Sequence, residues 1–286
     1  MVVFPNCKIN IGLHITSKRE DGYHNIETVM VPVAWSDALE IVKHDQKKPD
    51  ESLLTGKAES GKVHFYSYGI PIPGNAEDNL CIKVYHMLEE WFELPSVDIH
   101  LIKNVPIGAG LGGGSANAAF CLRALKEYFD LSISDSEAKK LLGNIGSDCP
   151  FFWDNEPSFA YGKGDDMRRI ELQLTNKWVL LVYPNIAIST AEAYSGINPK
   201  QPSIDLELLT NLPIECWNQG IVNDFEESVF PKYPSLMEVK KRFYEIGAIY
   251  SSLSGSGSAI YGIFSEEPTI PTEWQDYQFW VGRSME

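Results

Sequence analysis

The chain has 286 residues, 44% of them hydrophobic and 22% charged, which suits a globular protein with a large core in one or two domains. A formal net charge of −15 argues against DNA, RNA or an anionic membrane surface as the main partner. It leaves room for a small phosphorylated ligand, because a local nest of N–H groups and one lysine can outweigh the global field. Six histidines lack HExxH spacing and five cysteines lack any CxxC pair, so the spacing indicates neither a zinc ligand set nor a disulfide framework. No basic segment precedes a long apolar run at the N-terminus, and no apolar stretch approaches a membrane span. The expectation is a soluble cytoplasmic protein, monomeric or homodimeric, with no nucleic-acid or membrane partner.

Residues 7–16, CKINIGLHIT, alternate strictly. The pattern predicts a half-buried strand with Lys8 and Asn10 side by side on its polar face. Asp21-Gly22 marks a turn. Strands are expected over 26–33 and 38–42, a polar loop or edge excursion over 43–62, and a strand over 63–68. Asp78-Asn79 precedes a helical pattern whose apolar stripe is Leu80, Val84, Met87, Leu88 and Trp91. An alternating strand over 97–105 then leads into the stretch 106–119, PIGAGLGGGSANAA.

Five of the seven residues from 108 to 114 are glycines. Glycine loses more freedom on folding than any other residue, so such density points to close backbone approach or converging N–H groups. With a helix predicted from Ser115 to Phe129, buried through Ala119, Leu122, Leu125 and Phe129, the loop is a phosphate cradle at a helix N-terminus. The Walker pattern G-x-x-x-x-G-K-[ST] is absent. Gly108, Gly110 and Gly113 satisfy G-x-G-x-x-G, and Asp130 lies near the offset of a ribose-binding acid. A dinucleotide fold is nevertheless disfavoured: Leu131 leads straight into a capping-box helix start, Ser134–Glu137, instead of the strand that should carry the acid. Strands follow over 158–163 and 178–183, helical turns over 191–194 and 204–210, a mixed region over 217–234 and an amphipathic helix over 235–246. Strands over 249–253 and 259–264 flank a second glycine-serine turn at 254–258, and 277–281 is placed to close a sheet. The order gives α+β architecture with two lobes, 1–155 and 156–286.

The string P-x-G-x-G-L-G-G-G-S-x-N-A-A resembles the ATP-phosphate loop of the GHMP kinases, which include galactokinase, homoserine kinase and mevalonate kinase. Lys8–Leu13 with Arg19-Glu20-Asp21-Gly22-Tyr23-His24 is similar to the K-x-N-x-x-L…R-x-D-G-Y-H signature of a member whose acceptor is a cytidine diphosphate sugar-alcohol. Gly146–Phe152 resembles that member's G-[AS]-D-x-P-F segment, and Leu253–Ser258 the family's C-terminal glycine motif. The matches run in order from residue 7 to residue 258. The resemblance implies an N-terminal lobe like ribosomal protein S5 domain 2, a ferredoxin-like α/β sandwich after it, and an active site in the cleft between them.

The same resemblance implies site residues. Asp148 would orient or accept the proton of the acceptor hydroxyl, and Lys8 would hold Asp148 ionised and neutralise the transferring group. Taken without the resemblance, Asp148 reads as an ordinary turn aspartate and Lys8 as a lysine reaching solvent. ATP would be held by Pro106, Ile107, Gly108, Ala109, Gly110, Leu111, Gly112, Gly113, Gly114, Ser115 and Ala116, with Lys103, Asn79 and Leu80 near the adenine. Magnesium would arrive with ATP, bound mainly through its phosphates, without a secure protein ligand. Asn10, Tyr23, His24, Thr190 and Tyr194 would form the acceptor pocket, with the aromatic rings stacking on a base and His24 reading its edge. Tyr194 equally suits core packing, and the turn at 254–258 equally suits a plain hairpin. Cys7, Cys149 and Ser256 depart from the family's usual alanine, valine and threonine and leave the proposed charges intact. Other readings are a GHMP kinase with homoserine, mevalonate or a sugar as acceptor, and a non-catalytic ATP or metabolite sensor. DGYH argues against the first, and the Lys8–Asp148 pair against the second.

Overall fold

A computed structural model describes every residue except 46–48, 173, 203 and 286. The chain folds into two compact units. The first comprises Met1–Cys7, Trp35–Ile107 and Gly112–Asn155; the second comprises Lys8–Ala34, Gly108–Leu111 and Glu156–Glu286. The units are therefore discontinuous in sequence, and the glycine loop contributes to both.

The first unit is built on a five-stranded sheet in the order Val2–Val3, Ala38–Lys43, Val97–Lys103, Val63–Gly69, Gly56–Ser60. Val63–Gly69 and Val97–Lys103 run parallel, so the chain needs a crossover between them, and the helix Leu80–Glu89 supplies it. Asn79 caps that helix by accepting from Cys81 N at 2.9 Å. Cys81, Ile82, Val84, Tyr85 and Leu88 are its buried face. Trp91, expected on the stripe, is 51% exposed, because the helix ends at Glu89 before the period can carry Trp91 inward. The helix Gly113–Tyr128 buries Ala119, Leu122 and Leu125, while Phe129 is its C-cap. Ser134 and Glu137 form the expected capping box of the helix Asp135–Ile145. No strand lies between Asp130 and that helix, which removes the element a dinucleotide fold would need. The polar stretch 43–62 is not wholly a loop: Gly56–Ser60 pairs antiparallel with Val63–Gly69 as an edge strand, and its charged side chains suit an edge. Residues 46–48 of that stretch lie outside the described residues.

One buried carboxylate organises this unit. Asp37 accepts from Asn104 N at 2.7 Å, Val105 N at 2.8 Å and Asn117 Nδ2 at 2.8 Å, and pairs with Lys103 Nζ. It thereby ties the end of Val97–Lys103 to the helix after the glycine loop. Burial pulls the Lys103 ammonium below the usual lysine range, and Asp37 opposes that shift.

The second unit holds two four-stranded sheets. One has the order Asn6–Lys18, His24–Ser36, Ser158–Tyr161, Asp166–Arg169, and the other Tyr250–Leu253, Ile260–Phe264, Trp178–Tyr183, Gln278–Arg283. The closing strand appears where expected, on the edge beside Trp178–Tyr183. Its core gathers Leu13, Leu180, Val182, Phe225, Phe243 and Ile260. The strand Asn6–Lys18 is not half-buried: Lys8, Asn10 and His14 are 4%, 2% and 3% exposed. Its polar face is covered as completely as its apolar face, so the alternation marks two kinds of buried surface.

Replacing Asp37 with alanine strands a buried ammonium and two backbone donors. Loss of about 3–5 kcal/mol is expected from the urea-unfolding free energy, the scale for breaking a buried pair. A loss below about 1 kcal/mol, the scale of a surface pair, would show that this network does not organise the unit.

Candidate active site

In the second unit the strand Asn6–Lys18 carries Lys8 and Asn10 on one side, two residues apart. Lys8 Nζ donates to Asn10 Oδ1 and, at 3.1 Å, to the carbonyl of Gly110. Lys8 N donates to Leu111 O at 3.0 Å, so backbone and side chain both hold the glycine segment 108–111. Asn10 Nδ2 donates to Thr28 Oγ1 at 3.0 Å, and Tyr261 donates to Asn10 O at 2.8 Å. Lysine and amide are thus locked in orientation by buried partners.

Gly108, Gly110 and Gly112 have φ of 66°, 77° and 69°, a left-handed conformation that glycine adopts without a Cβ clash. At Gly110 a Cβ would lie 1.9 Å from the Ser254 carbonyl oxygen, so no other residue fits. Gly108 is open, with nothing within 4 Å of a Cβ position. Ser254 donates to Gly110 O at 2.9 Å, and Ala259 N to Ala109 O at 3.1 Å. The second glycine turn is therefore a brace for the first loop, which distinguishes it from a free hairpin. Asn223 braces it in turn, donating to Leu253 O and Gly255 O at 2.8 Å each.

In the first unit Gly112 begins the helix Gly113–Tyr128 with no side-chain cap, leaving its leading N–H groups and positive dipole end for an anion. Lys103 is beneath this start rather than on the surface: it is 4% exposed, and a Cβ on Gly113 would lie 2.9 Å from its Nζ. Leu80 lies 3.9 Å from a Cβ position on Gly114, which puts Asn79-Leu80 beside the loop. Pro106 and Ala116 are buried, while Ile107 and Ser115 are half-buried. Asp148 is half-buried in the turn before the short helix Phe151–Asp154. The next residue, Cys149, has its thiol pushed up to about 11, chiefly by burial, with a hydrogen bond to Ser115 opposing and the Asp148 charge adding. That Ser115–Cys149 contact brings the Asp148 turn to the first turn of the helix Gly113–Tyr128. Cys149 is an inert packing thiol there.

The rings of the second unit are arranged differently from a sandwich. His24 stacks on Tyr194, with centroids 4.6 Å apart and planes at 15°, and Tyr194 meets Phe225 edge-on at 4.8 Å. Tyr23 is 63% exposed with Lys163 Nζ 5.3 Å above its ring. Thr190 is exposed at the start of the short helix Thr190–Tyr194, whose cap is Ser189.

Residues 79–163 match the GHMP kinases N terminal domain and residues 206–275 the GHMP kinases C terminal. A protein of Bacteroides thetaiotaomicron, 4-diphosphocytidyl-2-C-methyl-D-erythritol kinase, is 44% identical over 96% of each chain. One of the same name from Parabacteroides distasonis is 43% identical over 99% of each. The chain belongs to the GHMP kinase family. A crystal structure of 4-(cytidine 5'-diphospho)-2C-methyl-D-erythritol kinase superposes with TM-score 0.76 at 26% identity, covering 99% of this chain and 98% of that one. Methanococcus jannaschii mevalonate kinase, 11% identical with TM-score 0.67 over 100% and 98%, shares the fold.

Within this GHMP kinase, sequence reasoning finds the loop and its flanking residues but misses the supports Asp37, Asn117, Thr28 and Asn223. Asp37 reads as a turn residue in Trp35-Ser36-Asp37, and its only signal is a lone carboxylate between two strand-forming runs. Asn223 has no spacing signal at all.

His24 provides a direct test of the ring arrangement. Its pKa is lowered from 6.5, by burial first and then by the Lys18 charge, so the imidazole is neutral at pH 7 and charges only in more acid solution. An NMR titration, assigned with His24→Gln, is expected to show a midpoint below 6.5 that rises in Lys18→Ala. A midpoint at or above 6.5 contradicts the packing described.

Proposed function

We propose that the chain transfers the γ-phosphoryl group of ATP to the 2-hydroxyl of 4-diphosphocytidyl-2-C-methyl-D-erythritol, giving the 2-phosphate and ADP. The observation that carries the reading is near-full-length identity to relatives of that name, joined to the presence in this chain of Lys8, Asn10, Tyr23, His24, Asp148 and the glycine loop.

Phosphoryl transfer needs positioning and charge compensation more than covalent work. The open, left-handed backbone at Gly108 and the helix start at Gly113, which no side chain caps, offer a donor set that fits the β- and γ-phosphates. In this reading Lys103 and Asp37 set the position of that helix from beneath, and the Asn79-Leu80 corner borders the nucleotide. The same donor set fits ATP carried as its magnesium complex, with Ser115 the protein hydroxyl nearest the helix end. When bound, the ion neutralises charge between phosphate oxygens.

The acceptor end uses the other residues. Asp148 takes the proton of the 2-hydroxyl as the new P–O bond forms and the bond to the β-phosphate oxygen breaks. Lys8, oriented through Asn10 and the Gly110 carbonyl, neutralises the developing charge. A neutral His24 offers one donor and one acceptor nitrogen to the edge of a cytosine, while Tyr23 and Tyr194 offer ring faces. In the free protein His24 covers Tyr194, so seating a base there requires the stacked pair to part. Residues 1–155 and 156–286 form the two kinase domains in this reading, and a cytoplasmic enzyme is expected. Among the described residues no helix is long and apolar enough to cross a membrane.

Asp148→Asn is expected to lower kcat by about 100- to 10,000-fold, the usual contribution of a positioned base. ATP affinity, measured by calorimetry, should stay at the wild-type value. Turnover near wild type would remove Asp148 from the mechanism.

A further inference from the structure

The outer face of the first unit's sheet carries a cluster that phosphoryl transfer does not use. His64 lies on the strand Val63–Gly69 and is paired in register with Asp98 on Val97–Lys103. His44 follows the neighbouring strand Ala38–Lys43, and its N–H donates to Ser96 O at 3.0 Å, prolonging the pairing past the strand end. Three adjacent strands thus deliver two imidazoles and a carboxylate to one spot. One ligand atom from each lies within 4.8 Å of the others. His44 Nδ1 is 2.7 Å from Asp98 Oδ1, and the two imidazole rings stack with centroids 3.9 Å apart and planes at 13°.

The charge balance of this cluster is unusual. Asp98 is 4% exposed, so its carboxylate is largely removed from water. The side chains beside it are two histidines, His44 within hydrogen-bond distance and His64 paired with it in register. Glu59, opposite His64 across the edge pairing, adds a further carboxylate with Oε1 3.9 Å from His64 Nδ1. A single shared cation satisfies all of these groups. Protonating both stacked imidazoles does so less well, because it sets two like charges face to face.

We propose that His44, His64 and Asp98 bind one divalent transition-metal ion of the zinc type. Two imidazole nitrogens with one carboxylate oxygen suit zinc and its neighbours and do not suit magnesium, which prefers an all-oxygen shell. Bound distances of about 2.0–2.2 Å require the three side chains to draw inward by rotation. Glu59, whose side chain is 81% exposed, swings in as the fourth ligand or leaves that position to water. The site is separate from the glycine loop. Asp98 precedes Lys103 by five residues on the same strand, about 16 Å along it, and the two point to opposite faces. The ion's role is to clamp three strand ends of the first unit.

The test uses the purified full-length chain, stripped of metal and free of nucleotide. Zinc calorimetry is expected to give one equivalent per chain, and cobalt the visible bands of a four-coordinate site. Millimolar magnesium should not compete, and affinity should fall in acid, because the ion binds only deprotonated ligands. Zinc should also raise the melting temperature of the wild type. His44→Gln and His64→Gln, checked for native circular dichroism, should each weaken zinc by about 100-fold or more, whereas His100→Gln, on the same face outside the cluster, should not. Absence of stoichiometric binding, or binding that survives both cluster variants, overturns the proposal.

Discussion

The buried carboxylate of Asp37 is the interaction on which the glycine loop depends. A carboxylate in the interior survives only if its lone pairs are occupied and its charge balanced. Here Lys103 supplies the charge, Asn117 and two backbone N–H groups supply donors, and all of these groups belong to segments that bracket the glycine loop. The arrangement fixes where the strand ends and where the helix begins. Gly108, Gly110 and Gly112 can then stand between them without making the loop shapeless.

Residues 108–111 of the loop, which belong to the second unit, are held there by groups of that unit. The carbonyl of Gly110 accepts from both Lys8 and Ser254, while the missing Cβ lets the chain pass against the Ser254 carbonyl. The chain is strongly acidic overall, yet the groups around this loop are donors: N–H groups, a lysine, a serine hydroxyl. Local geometry defeats the global field because donors within hydrogen-bond reach outweigh screened charges farther away. A net charge of −15 therefore does not by itself exclude an anionic ligand at this loop.

Much of the fold was legible from pattern. The capping box at Ser134, the Asn79 cap and the strand at 178–183 all declare themselves locally, and the structure has them. The glycine loop was equally open to reading, since five glycines within seven residues beside a helix start stand out in the sequence. What pattern missed depends on distant residues. Lys8 and Asn10 look solvent-facing by alternation, and only tertiary packing reveals that both are buried. Lys103 is buried and paired with an aspartate 66 residues earlier in the chain, which no local spacing signals. His44, His64 and Asp98 carry no local ligand spacing, because neighbouring strands bring them together. The sequence places His24 and Tyr194 in one pocket through the family resemblance, but their direct stacking on each other is found only in the fold.

The identity of the acceptor separates this enzyme from the other kinases that share its fold, and ADP release from the purified chain with magnesium-ATP reads it out. Three acceptors would be compared under identical conditions: 4-diphosphocytidyl-2-C-methyl-D-erythritol, homoserine and mevalonate. Acceptor-dependent ADP release is expected with the cytidine compound alone, accompanied by a new phosphomonoester on its 2-oxygen. Release with only homoserine or mevalonate, or with none of the three, would contradict the proposed reaction.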